Sequence, residues 1–144
     1  MKKISILGAT GSIGCNTLDL VSRNLGEFKV VGLTGANNIE LLADSAIKFN
    51  ADVVATANDS KFHDLKEMLS GHKIEVCAGI NGVLEVASRK VDWVMSSIVG
   101  SAGLLPGLKA LEAGANLALA NKESMVAAGP VSYTHLTLPT ILLV

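Results

Sequence analysis

Ile4-Ser5-Ile6-Leu7-Gly8-Ala9-Thr10-Gly11-Ser12-Ile13-Gly14 is the stretch whose reading decides the fold of this chain. An apolar, β-branched run stops at a glycine-rich turn, and helix-compatible apolar positions follow at Leu18, Val21 and Leu25. That order is strand, phosphate loop, helix. Gly8 suits the tight turn, Gly11 admits a phosphate to the backbone, and Gly14 lets the helix pack closely on the strand. The first N–H groups of the helix then face an anion that the helix dipole also favours. The spacing is G-x-x-G-x-x-G, where the usual dinucleotide fingerprint is G-x-G-x-x-G, so the glycines alone also fit an ordinary βα turn. The position directly after a first strand is what favours the phosphate loop.

Outward from this stretch, short apolar runs alternate with helical patterns. Strands are expected at Phe28–Thr34, Asp52–Thr56, Ile74–Cys77, Val91–Met95 and Asn116–Ala120. Helices are expected over Ile39–Phe49, after a cap at Asn58 or Asp59, over Asn81–Ser88, and over Ser101–Ala113 with its regular part from Pro106. Six strands alternating with five helices make an α/β, doubly wound parallel sheet, a Rossmann-like dinucleotide-binding domain. Ligands of such sheets lie beyond the carboxyl ends of the strands. Here those ends are Gly8–Gly14, Thr34–Asn38, Ser96–Ser101 and Ala120–Ser124, all polar or glycine-rich.

NAD enzymes commonly hold the ribose 2′-hydroxyl with a carboxylate at the end of the second strand. Thr34, Gly35, Ala36, Asn37 and Asn38 supply none. A 2′-phosphate meets no repulsion there and can accept from amides and backbone N–H groups, so NADPH is favoured over NADH. No Arg or Lys stands in the turn to strengthen that preference. Asn37 and Asn38 also read as turn residues and a helix N-cap, and the two roles are compatible. Lys122 and Glu123, after the sixth strand, read either as a ligand contact or as a solvated helix start.

The chain has 144 residues, one domain by size, and its 49% hydrophobic content marks a compact globular protein. Twelve basic and thirteen acidic residues leave a net charge of -1, and aromatics are only 3%, which argues against nucleic acid as a partner. No apolar run approaches the ~20 residues that span a bilayer. Met1-Lys2-Lys3 resembles the start of a signal peptide, but Gly8, Gly11 and Gly14 interrupt the apolar run behind it. Cys15 and Cys77 form neither a disulfide framework nor a zinc spacing, as expected of a cytoplasmic protein with reduced thiols. Neither has a partnered base in the sequence, which counts against an aldehyde-dehydrogenase nucleophile. Tyr133 is followed four residues on by Thr137, not Lys, which excludes a short-chain dehydrogenase. His63, His72 and His135 have no partners at metal-ligand spacing.

ILGATGSIGCNTLDLV, VMSSIVGSAGLLPGLKALEAG and LALANKESMVAAG together closely resemble the 1-deoxy-D-xylulose 5-phosphate reductoisomerase family, over about residues 1–130. The resemblance implies an oxidoreductase of isoprenoid biosynthesis that uses NADPH and a divalent metal (Mg²⁺ or Mn²⁺). Such an enzyme rearranges its sugar-phosphate substrate, reduces the product with hydride, and is typically a homodimer. It implies that Thr10, Gly11, Ser12 and Ile13 bind the cofactor phosphates and that Ala36, Asn37 and Asn38 lie at the ribose phosphate. Asn121 and Glu123 would also meet NADPH, and Lys122 the substrate. Family members commonly carry glycine at the position of Ala36 and often a basic residue at that of Asn37. The family continues after ANKES into an Asp-Ser-Glu-His segment that supplies metal and substrate ligands. Here Ser124 to Val144 contain no Asp, Glu, Lys or Arg. Residues 131–144 therefore read as an apolar non-family tail, disordered or aggregation-prone. The chain is expected to be an isolated cofactor domain with no catalytic residues and no metal ligands of its own, inactive alone. A stand-alone NADPH-binding module is the alternative. A module predicts a self-contained domain with an ordered C-terminus, whereas a fragment predicts an exposed apolar sheet edge or helix face where the missing domain docked.

Overall fold

The computed structural model describes residues 1–98, 100–120 and, as backbone, 141–143. β1 (Lys2–Leu7), β2 (Phe28–Gly35), β3 (Val53–Thr56), β4 (Glu75–Ala78), β5 (Trp93–Ser96), β6 (Asn116–Leu119) and β7 (Ile141–Leu143) form one sheet in the order β4-β3-β2-β1-β5-β6-β7. Every neighbouring pair is parallel. The connecting helices are α1 (Ser12–Ser22), α2 (Ile39–Phe49), α3 (Phe62–Met68), α4 (Gly79–Ala87) and α5 (Leu104–Glu112). Single 3₁₀ turns at Asp59–Lys61 and Gly100–Gly103 lead into α3 and α5. The doubly wound parallel sheet is as the apolar periodicity requires.

Helices cover both faces, which is why the central strands read as near-continuous apolar runs. On one face Leu18 and Val21 of α1, Leu42, Ala43 and Ala46 of α2 and Leu65 of α3 pack on Ile4, Ile6, Val30, Leu33 and Val54. On the other, Val83 and Val86 of α4 with Ala110 and Leu111 of α5 pack on Leu7, Val53, Val94 and Leu117. Strand order reverses at β1, whose neighbours are β2 on one side and β5 on the other. The crevice that such sheets use for ligands therefore opens between the loops that leave β1 and β5.

Several boundaries differ from expectation. β4 and α4 are displaced by a residue or two, because Gly79 takes a left-handed φ of 73° and turns the chain from β4 directly into the helix. α5 begins at Leu104, with Pro106 in its first turn, where a missing N–H costs no hydrogen bond. The larger difference is β7. Residues 131–144 read in the sequence as a disordered or aggregation-prone tail, whereas Ile141, Leu142 and Leu143 pair with Leu117, Ala118 and Leu119. An apolar, partly β-branched run meeting the edge of β6 gains a ladder of backbone hydrogen bonds.

On the α1 face, no helix among the described residues covers β5 and β6. An open groove of about 740 Å³ remains there, with Ile4, Leu20, Phe28, Trp93, Met95 and Ala118 in its walls. Trp93 is thus a packing residue at the rim of an apolar face that no helix among the described residues covers. No helix among the described residues is long and apolar enough to cross a membrane.

Candidate functional site

The loop from Gly8 to Gly14 is built by backbone contacts that tolerate no side chain at two points. Gly8 sits at φ 82°, and a Cβ there would lie 2.8 Å from Ser97 Oγ and 3.2 Å from the Ser97 carbonyl carbon. A Cβ on Gly14 would stand 2.2 Å from Gly8 O and 2.6 Å from Ala9 Cα, so the first turn of α1 rests directly on the loop backbone. Gly11 differs: its φ of -80° suits any residue, and a Cβ would meet only Gly8 O, at 3.7 Å. The protein interior does not demand glycine at this position. The space beside Gly11 is open apart from Gly8 O.

Three buried or half-buried polar side chains tie this loop to its neighbours. Thr34, at the end of β2, accepts from Gly8 N at 3.0 Å through Oγ1, and its carbonyl accepts from Ala9 N at 2.7 Å. Ser97, just past β5, donates through Oγ to Leu7 O at 2.9 Å and Gly8 O at 3.0 Å. Cys15 Sγ lies 3.7 Å from Ala9 O, a packing role inside the loop. Gly11 caps α1 with no side-chain hydrogen bond, and the first intrahelical bond is Cys15 N to Gly11 O at 2.9 Å. The first-turn N–H groups of an 11-residue helix therefore have no capping side chain, in the partly positive field of the helix end. The first turn of α1 holds no acidic residue. An anion is the ligand this end fits.

The second wall of the site is the turn after β2. Thr10 packs against Gly35, where a Cβ would be 3.1 Å from Thr10 Cγ2, so the two loops touch. Asn38 is the helix cap: its Oδ1 accepts from Leu41 N at 3.2 Å. Asn37 is exposed and accepts through Oδ1 from Asn58 Nδ2 at 2.8 Å. Thr56, fully buried at the end of β3, donates to Ala36 O at 2.7 Å. Thr10, Gly11, Ser12, Ile13, Ala36, Asn37 and Asn38 are thus gathered at the carboxyl edge of β1 and β2, with Ser12 and Ile13 exposed. Asn121, Lys122 and Glu123 lie outside the described residues, as do Tyr133 and His135.

Sequence reading did not single out Ser97 or Thr56, and gave Asn58 only a capping role. The available signal was a polar residue at the carboxyl end of each of three strands. Among the described residues, no group of three or more His, Cys, Asp or Glu could hold a metal ion. Cys77 lies on β4, at the far edge of the sheet. Burial, followed by the charges of Glu75 and Glu85, pushes its thiol above the ordinary range, with Arg89 acting oppositely. A thiol held protonated and distant from the crevice is not a nucleophile for this site.

Comparison with known proteins bears on this geometry. A family model described as 1-deoxy-D-xylulose 5-phosphate reductoisomerase matches residues 4–129. A relative of that name from Ruegeria sp. (strain TM1040) is 54% identical over 129 residues, 90% of this chain and 33% of its own length. A solved reductoisomerase from Zymomonas mobilis in complex with NADPH superposes with a TM-score of 0.94 at 42% identity, covering 99% of this chain and 38% of that one. Another, in complex with NADPH, fosmidomycin and magnesium, gives a TM-score of 0.91 at 32% identity, covering 99% of this chain and 36% of that one. The chain spans about a third of the length of the curated relatives it matches.

Proposed function

Since the chain belongs to the 1-deoxy-D-xylulose 5-phosphate reductoisomerase family, we propose that it is the NADPH-binding portion of such an enzyme. The observation that carries this is the uncapped N-terminus of α1 resting on the Gly8–Gly14 turn, beside a β2 turn without a carboxylate. Backbone N–H groups of Ser12 and Ile13, with the side chains of Thr10 and Ser12, hold the pyrophosphate over Gly11, whose own N–H donates to Gly8 O at 3.3 Å. Ala36, Asn37 and Asn38 hold the adenosine ribose and its 2′-phosphate. Asn121 and Glu123 meet the cofactor further along the crevice, and Lys122 meets the sugar phosphate.

The nicotinamide, when bound, supplies the hydride for the reduction. The residues of this chain bind and orient it: the anion-binding helix end fixes the pyrophosphate, and the donors after β2 fix the adenosine half. The described residues do not fit a divalent metal, so none of the metal's chemistry is assigned to them. Conversion of 1-deoxy-D-xylulose 5-phosphate to 2-C-methyl-D-erythritol 4-phosphate belongs to the whole protein, as do homodimer assembly and a cytoplasmic location. Nucleotide binding belongs to this part. The apolar groove beside β5 and β6, which no helix among the described residues covers, supports reading it as one part of a larger body.

Calorimetric titration of the chain with NADPH and NADH, then an assay with substrate and Mg²⁺ or Mn²⁺, tests the proposal. Binding of NADPH, more tightly than NADH and without turnover, is expected. Binding of neither nucleotide would refute it.

A further inference from the structure

In the turn after β2 every oxygen from Gly35 to Asn38 already accepts a hydrogen bond from within the protein. Gly35 O accepts from Ala57 N at 2.8 Å, Asn37 O from Ile39 N at 3.0 Å, and Asn38 O from Leu42 N at 3.1 Å. Ala36 O is taken by Thr56 Oγ1, and Asn38 Oδ1 by Leu41 N. The remaining acceptor is Asn37 Oδ1, and Asn58 occupies it.

The orientation of Asn58 is itself determined. Its Oδ1 accepts from Ser60 N at 3.1 Å and from Ser60 Oγ at 2.7 Å. A backbone N–H can only donate, so the atom facing Ser60 is the carbonyl oxygen and the atom facing Asn37 is the amide nitrogen. That nitrogen can only donate, so Asn37 must turn its own oxygen inward. What Asn37 keeps for a ligand is its Nδ2, with two N–H donors. Asn58 N donates to Thr56 Oγ1 at 3.2 Å, which links this clamp to the one that holds Ala36 O.

We infer that Asn58 is a positioning residue for cofactor selection: it fixes the Asn37 amide so that donors, not an oxygen, face the adenosine ribose, which favours a 2′-phosphate over a 2′-hydroxyl. The inference rests on the NADPH reading of the site. A phosphate is acceptor-only and doubly charged, so it gains charge-assisted bonds from donors and is repelled by an amide oxygen. A hydroxyl can either donate or accept and is nearly indifferent to the direction of the amide.

The test is a titration of the full chain and its variants with NADPH and NADH. Asn58→Asp keeps the oxygen that caps the Ser60 turn but presents an acceptor to Asn37, which reverses the Asn37 amide. It should weaken NADPH about tenfold, equivalent to about 1.4 kcal/mol, and change NADH by less than about twofold. Asn58→Ala, which adds no charge, should lower the NADPH:NADH preference in the same direction by a smaller factor. With Asn37→Ala in the background, Asn58→Asp should no longer move the preference. An unchanged preference, equal weakening of both nucleotides, or a loss that persists without the Asn37 amide would each overturn the assignment. The last would mean that the new charge repels the phosphate directly. Failure of the unmodified chain to bind either nucleotide would overturn the NADPH reading itself, and the inference with it.

Discussion

Replacing Gly14 by alanine adds a single methyl group to the first turn of α1, on a helix, where alanine is intrinsically favoured by up to about 1 kcal/mol. The structure reverses that sign. The new Cβ would lie 2.2 Å from Gly8 O, 2.6 Å from Ala9 Cα and 2.8 Å from Ala9 C, all backbone atoms that no rotamer change can move. Relief requires α1 to lift off the loop, and overpacking of this kind costs typically about 1–3 kcal/mol. Set against the propensity gain, the net loss should reach up to about 2 kcal/mol, or a fall in Tm of up to roughly 8 °C for a domain of this size. The same displacement moves the first-turn N–H groups from the anion site, so NADPH should bind at least about tenfold more weakly. Gly11→Ala is the matched control. With Gly8 O at 3.7 Å and φ already at -80°, its stability should change by no more than about 1 kcal/mol, the ordinary cost of alanine at an N-cap. Its NADPH affinity should nevertheless fall, because the methyl group stands where the phosphate approaches. Thermal or urea unfolding of both variants, paired with nucleotide titration, reads the two effects separately. A Gly14→Ala variant as stable as the parent, with full NADPH affinity, would refute the packing argument.

Thr34→Val keeps the shape but removes the acceptor for Gly8 N, leaving a half-buried N–H unpaired. A loss of about 1–3 kcal/mol is expected in urea unfolding, together with weaker NADPH binding. Ser97→Ala removes the donor to Leu7 O and Gly8 O; unfolding should show a loss of about 0.5–1.5 kcal/mol, smaller than for Thr34→Val. The raised Cys77 pKa predicts slow alkylation by iodoacetamide near pH 8, because the thiolate is the reacting form. Glu75→Gln removes a charge that favours the protonated thiol, so Cys77 should react faster in that variant. Mass-spectrometric labelling rates at Cys77 check this, and an unchanged or slower rate would contradict it.

The parts of the fold visible in the sequence were those with local causes. Apolar runs ending in Gly8, Thr34 and Thr56 marked strands because a parallel sheet buried on both faces needs uninterrupted apolar residues. Asn38 and Asn58 were legible as caps because a cap bonds within three residues of itself. What escaped notice depends on pairing across the sheet. Ser97 meets Leu7 ninety residues away, and Asn58 meets Asn37 twenty-one residues away, contacts that no local pattern encodes. β7 escaped for a related reason: the place of Ile141–Leu143 is set by the edge of β6, not by its own neighbours. The glycines show both sides. Their position after the first strand suggested a phosphate loop, but only the backbone geometry shows that Gly8 and Gly14 are required by packing while Gly11 has room for a side chain.

The most direct test of the central claim is an amide ¹H–¹⁵N correlation spectrum of the chain titrated with NADPH. The largest shifts should fall on Gly11, Ser12 and Ile13 and on Ala36, Asn37 and Asn38, with β4 unmoved. Shifts centred instead on the cleft that His63, Lys66, His72 and Glu75 line beside β4, or no shifts at saturating nucleotide, would contradict the assignment of a dinucleotide site to the β1–β2 edge.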